Sequence, residues 1–182
     1  MKKFEEKTIS SETLYEGNII SLRIEEVELP DGKKAKRELI KHSGAVAIIP
    51  ITKDGKIVFV RQYRKALDRV LVEIPAGRIE VGEAPEVTAE RELEEETGYG
   101  ANKFSYIQSF ATSPGFADEI IHLYLAEDLY KIENPADGDE DEFIELLELT
   151  IEEAEKMVGS GEIFDAKTAF ALIFAKYELK KS

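Results

Sequence analysis

The sequence predicts an α/β sandwich with a small antiparallel β subdomain ahead of it. Three observations carry this: apolar, β-rich runs punctuated by turn residues, two or three interspersed helical stretches, and an opening segment too poor in apolar side chains for a core of its own. Residues 1–42 are assigned to the subdomain and residues 43–182 to the main domain.

Residues 7–29 alternate apolar and polar around Leu14, Ile19, Leu22, Ile24, Val27 and Leu29, a strand pattern, and Pro30-Asp31-Gly32 turns the chain into the next strand. The chain therefore opens as a β-meander. The runs 45–51 and 57–60 are strongly apolar strands joined by a tight turn at Asp54-Gly55, and their near-continuous Val and Ile predict cover on both faces. A short strand from Val70 to Ile74 leads into Pro75-Ala76-Gly77. From Pro85 to Thr97 the chain reads as a helix, with proline in the first turn, no interior glycine and Gly98 at the stop. Its apolar residues are Val87, Ala89 and Leu93. Strands at about 103–112 and 119–126 flank Ser113-Pro114-Gly115-Phe116, and an acidic loop over 133–142 leads to a strand at 143–149. Two helices follow. The last, about 166–179, presents Ala169, Phe170, Leu172, Ile173, Phe174 and Tyr177 as a packing face.

Composition narrows the chemistry. The 182 residues carry 38 acidic and 24 basic side chains, a formal net charge of −14 that repels phosphate backbones and argues against nucleic-acid binding. With no cysteine there are no disulfides, thiolate zinc sites or cysteine nucleophiles, and two histidines, His42 and His122, do not make a His-rich metal site. Oxygen ligands remain. The polar N-terminus has no apolar leader core and no stretch approaches the roughly 18 apolar residues of a membrane span, so a cytoplasmic protein is expected.

The most informative segment runs from Gly77 to Tyr99. On the predicted helix Glu92, Glu95 and Glu96 stand at i, i+3 and i+4 and share one face, where like charges destabilise a helix unless water or a cation offsets them. A glutamate run is usually a solvated face. All-oxygen ligands otherwise select a hard ion, Mg²⁺ or Mn²⁺ before Zn²⁺, and the glycines at 77 and 82 permit a tight loop whose Ala76 carbonyl can join the ligand set. Glu94 points away from that face.

Gly77, Glu83, Arg91, Glu92, Leu93, Glu95, Glu96, Gly98 and Tyr99 match the Nudix box, G-x5-E-x7-R-E-U-x-E-E-x-G-U, at every defined position, Tyr99 standing where an aliphatic residue is commoner. The chain thus resembles the Nudix hydrolases, which cleave a nucleoside diphosphate linked to another group. The resemblance implies an α/β/α sandwich with a mixed sheet, and Mg²⁺, with Mn²⁺ as a substitute, held by Glu92 and Glu96, assisted by Glu95 and the Ala76 carbonyl. Arg91 would orient a carboxylate such as Glu83.

Three further segments, Val60 to Arg64, Glu73 to Gly77 and Ser113 to Glu119, resemble the bacterial ADP-ribose pyrophosphatases over nearly the whole chain. That likeness implies hydrolysis of ADP-ribose to AMP and ribose 5-phosphate in a homodimer whose N-terminal strands cross to the partner. Arg64 matches the arginine near the phosphates, and Arg37 one contributed by the partner. Glu73 and Glu119 become candidates for adenine and ribose hydrogen bonds, beside the turn at Ser113 and Gly115. Glu142, in the acidic loop, matches the general base that takes a proton from water, with Glu140 and Asp141 as neighbouring alternatives. Tyr15 and Phe4 are read as core residues rather than adenine-stacking ones. Two rivals stay open: hydrolysis of another nucleoside diphosphate sugar or dinucleotide, and a non-catalytic sensor of ADP-ribose.

Overall fold

A computed structural model of the chain describes residues 2–136, 138 and 143–178. The chain forms two compact units, Met1–Gly44 with Phe110–Ile121, and Ala45–Ser109 with His122–Ser182.

The first unit is an antiparallel sheet of β1 (Lys7–Glu16), β2 (Ile20–Glu28) and β3 (Lys34–His42), in that order. Pro30-Asp31-Gly32 makes the expected turn, Gly32 at φ 82° donating its N–H to the Leu29 carbonyl at 2.8 Å. Every residue of β1 is exposed, and Val27 is the one residue of β2 buried in the core. Tyr15 and Phe4 are exposed too, so neither packs in a core as expected. The segment 112–119 joins this unit through β3: the Ile40 N–H donates to the Phe116 carbonyl at 2.7 Å and the Asp118 N–H to the Ile40 carbonyl at 3.2 Å.

The second unit contains β4 (Ala45–Pro50), β5 (Ile57–Arg64), β6 (Arg69–Glu73), β7 (Ala76–Arg78), α1 (Pro85–Thr97), most of β8 (Tyr99–Ala111) and β9 (Ile120–Lys131), then β10 (Glu145–Leu149), α2 (Ile151–Ser160) and α3 (Ala166–Glu178). Its sheets run β7-β4-β9-β8 and β10-β5-β6. The Asp54-Gly55 turn forms as the sequence requires, with Gly55 at φ 79°, but only Ile51 and Ile57 bridge across it. Strands β4 and β5 then part into different sheets. Each is buried along its apolar run, which a two-stranded ribbon cannot achieve and a place inside a separate sheet can.

Helix α1 begins with Pro85 at its first position and ends at Gly98, whose φ of 69° is the left-handed geometry glycine adopts without strain. Ala89 and Leu93, four residues apart, dock on Val46, Ile48, Tyr124 and Ala126. Val87 lies on the opposite side and is exposed, not part of the core. In α3 the buried stripe is Thr168, Ala171, Leu172 and Ala175, at i, i+3, i+4 and i+7, so Ile173 and Tyr177 of the expected packing face are exposed instead. Among the described residues no helix is long and apolar enough to cross a membrane.

Candidate active site

The glutamate face of α1 is not a solvated one. Glu96 is 7% exposed and the Glu92 side chain 12%, because both fold back onto the strand β7. Glu96 Oε2 accepts the Ala76 N–H at 3.0 Å. The Glu92 carboxylate lies over Gly77 so closely that a Cβ built there would stand 2.0 Å from its Cδ. Glycine is therefore required by this approach of a carboxylate to the backbone, not by a special φ.

Arg91 gathers the rest. Its guanidinium reaches Glu83 at 3.2 Å, Glu92 at 2.8 Å and Glu95 at 2.6 Å, and donates to the Arg78 carbonyl at 3.4 Å. Burial works against its charge, but the three carboxylates outweigh that and raise its pKa above the ordinary arginine range. Glu83 is held below the usual carboxylate range by Arg91 and by the Thr88 hydroxyl, which donates to it at 2.8 Å. The arginine thus contacts Glu83 and two box glutamates besides.

Arg91 is shared among Glu83, Glu92 and Glu95, with Glu96 beside them, so carboxylates outnumber the arginine that holds them. Among the described residues no three acidic or histidine side chains already form a closed cage for an ion. The donors still fit a hard divalent cation: they are all oxygens, two of them share the cradle over Ala76 and Gly77, and a further positive charge would relieve their repulsion. Glu92, Glu96 and the Ala76 carbonyl are the residues to hold it, with Glu95 next to them.

A second charged group occupies the ends of β5 and β6. Arg64 Nε and Nη2 each donate to Glu73 at 2.8 Å, and Lys167 donates to the same carboxylate. Glu73 is 2% exposed; burial pushes its pKa up, but Arg64 and Lys167 overcome this and hold it at about 2. The structure thus pairs Arg64 and Glu73 with each other, with Nη1 outside that fork.

The remaining site candidates lie in the first unit. Arg37 is forked onto Glu6 at 2.8 and 2.6 Å. The Ser113 carbonyl accepts the N–H groups of Phe116 and Ala117, at 3.1 and 2.9 Å, closing the turn, and Gly115 faces open space. Glu119 accepts from the Thr112 hydroxyl and lies 3.8 Å from His42 Nδ1. Glu142, with Glu140 and Asp141, lies outside the described residues.

Sequence reasoning passed over two side chains that shape the site. Glu94, on the far side of α1, accepts the Ala136 N–H at 2.9 Å and so fixes the start of the acidic loop. Lys167 joins Glu73 across 94 positions of sequence, and only Asp165, an N-cap type just ahead of the last helix, was there to be noticed. Tyr99, the departure from the box, buries its ring and reaches past the core to donate its hydroxyl to Glu148 at 2.6 Å, a length an aliphatic side chain lacks. That bond and burial push its pKa up to about 12.

Comparison with known proteins places the whole chain. Residues 41–169 match the NUDIX domain, and residues 6–40 the nucleoside diphosphate sugar hydrolase N-terminal domain. The chain is 57% identical to the ADP-ribose pyrophosphatase of Bacillus subtilis (strain 168) over 94% of its own length and 93% of that protein. It is 54% identical to the methanol dehydrogenase activator of Bacillus methanolicus, over 97% and 96%. A solved structure described as an ADP compounds hydrolase shares the fold, with a TM-score of 0.85 over 97% of this chain and 95% of that one, at 22% identity. With its box folded around Gly77, its domain matched over 41–169 and its likeness to these proteins end to end, the chain belongs to the Nudix family.

Proposed function

We propose that the protein is a divalent-metal-dependent hydrolase of ADP-ribose, giving AMP and ribose 5-phosphate. The observation that carries this is the pair of carboxylates, Glu92 and Glu96, folded onto Ala76 and Gly77, and the choice of substrate is supported by the full-length likeness to an ADP-ribose pyrophosphatase. A bound Mg²⁺, with Mn²⁺ as substitute, supplies charge to the diphosphate oxygens and lowers the pKa of the attacking water. Glu92, Glu96 and the Ala76 carbonyl hold the ion, and Arg91 keeps Glu92 and Glu95 turned toward it. Glu142 takes the proton from water as its oxygen bonds to one phosphorus and the bridging P–O bond breaks. Arg64 steadies the charge on the phosphates, with Glu73 setting Arg64 rather than meeting adenine. In the first unit Ser113, Gly115 and Glu119 are the candidates for binding the rest of the substrate, and Arg37 is the candidate that one subunit contributes to its partner.

The same reading makes the enzyme a cytoplasmic homodimer, in which a second copy covers the open first unit; the support is β1, exposed along all its ten residues. Sedimentation of the purified chain tests that directly. For the reaction, the test is incubation with ADP-ribose and Mg²⁺: the parent yields AMP and Glu96→Gln does not. Binding without AMP makes the protein a sensor, and a panel of other nucleoside diphosphate sugars and dinucleotides ranks the alternatives by kcat/KM. A second setting, activation of a methanol dehydrogenase, is suggested by the Bacillus methanolicus relative, whose name is methanol dehydrogenase activator. That dehydrogenase, assayed with the parent and with Glu96→Gln, responds only to the parent.

A further inference from the structure

We infer that the first turn of α3, through Lys167 and Thr168, is a positioning device that sets Arg64 and the Ala76–Gly77 cradle for the diphosphate; the inference rests on the hydrolase reading above. The contacts run in one line. Asp165 caps α3, accepting the Thr168 N–H at 3.0 Å and the Thr168 hydroxyl at 3.0 Å. That hydroxyl in turn accepts the buried Ile74 N–H at 3.0 Å, while Lys167 bridges Asp165, at 2.8 Å, and Glu73. Residues 73 and 74 are thus fixed from the α3 side. Two residues on, the Pro75 carbonyl accepts the Ile48 N–H at 2.9 Å and the Ala76 N–H meets Glu96 at 3.0 Å. The short stretch from Glu73 to Ala76 therefore ties the α3 turn at one end to a metal-site glutamate at the other.

Stability alone does not call for this arrangement. A lysine in the first turn opposes the helix dipole, and one that is 11% exposed has given up hydration and rotamer freedom. What it provides is direction. Arg64, Glu73, Lys167 and Asp165 together are charge-neutral, and within that group Lys167 helps hold the Glu73 carboxylate in place, so that Glu73 keeps Arg64 Nε and Nη2 turned inward and the arginine's remaining N–H groups face an incoming anion. Lys167 acts through Glu73 on Arg64, whereas Thr168 acts through Ile74 on the cradle.

The experiment measures kcat and KM for AMP release from ADP-ribose with Mg²⁺, and the melting temperature of each protein, for Lys167→Met, Lys167→Arg and Thr168→Val. Lys167→Met is expected to raise KM about tenfold with kcat within about threefold of the parent, and Lys167→Arg to restore KM. Thr168→Val is expected to lower kcat more than it raises KM. If Lys167→Met does not fold, Lys167→Gln takes its place in the same comparison. The inference is overturned if KM is unchanged without the lysine charge, or if the loss follows melting temperature and arginine does not rescue it. A parent inactive on ADP-ribose shows instead that the functional reading is wrong, and the inference goes with it.

Discussion

Two charged clusters in the second unit are built around an arginine, and they are opposites. At α1 one guanidinium serves Glu83, Glu92 and Glu95, with Glu96 close by, so the group stays anionic. At the ends of β5 and β6 one carboxylate, Glu73, serves Arg64 and Lys167, and Asp165 on Lys167 brings the group to neutrality. The first has an excess of oxygen donors for a metal ion, and the second an excess of N–H donors for a phosphate. A site for a metal-bound diphosphate needs both, and the segment 73–77 links them.

The comparison is broken most sharply at the anionic cluster. Replacing Glu96 by glutamine keeps an acceptor for the Ala76 N–H but removes a metal-facing charge; a metal's contribution of several kcal/mol translates to a loss of about 10²- to 10³-fold in AMP release, with melting temperature retained. At the Glu73 cluster a loss of stability accompanies the loss of Arg64's setting. Glu73→Gln leaves Arg64 and Lys167 without their shared carboxylate, and the depression of Glu73 from 4.5 to about 2 corresponds to about 3 kcal/mol. For a chain of this size that is a fall of about 6–12 °C in Tm by calorimetry. The sign follows from the depressed pKa: this stabilisation is complete above the ordinary value of 4.5 and disappears as pH falls toward about 2, so the parent has an acid limb that Glu73→Gln lacks.

A smaller effect is expected at Arg91→Lys, where a point charge replaces a fork that reaches three carboxylates; loss of one charge-assisted bond costs about 1.5–3 kcal/mol by denaturant melts. The smallest is at the pair between Glu6 and Arg37. Both side chains are solvent-exposed, so Glu6→Gln leaves Tm unchanged while Arg37→Ala, if the arginine binds substrate, raises KM.

Much of this was legible in the sequence where the signals are local. Pro85 and Gly98 fixed both ends of α1, and the spacing of Glu92, Glu95 and Glu96 on one face followed from helical geometry alone. The alternation around Leu22, Ile24 and Val27 gave β2, and Pro30 to Gly32 its turn. Elements decided by distant partners were not legible. Strands β8 and β9 run longer than their apolar patterns because pairing carries them on to Tyr99 and Lys131. No local pattern says that β4 and β5 enter different sheets, that Glu94 anchors Ala136, or that Lys167 meets Glu73. The Nudix box is legible because its glutamates lie on one helix, whereas the group around Arg64 and Glu73 is assembled from β5, β6 and α3.

The central claim is that Glu92 and Glu96 hold a divalent cation over Ala76 and Gly77. Titration of the full chain with Mn²⁺, followed by the loss of the free ion's electron paramagnetic resonance signal, tests it without any turnover. The account predicts saturable binding in the parent, displaced by Mg²⁺ and weakened at least about tenfold in both Glu92→Gln and Glu96→Gln. Equal Mn²⁺ affinity in the parent and the two variants, all folded by their melting curves, would contradict it.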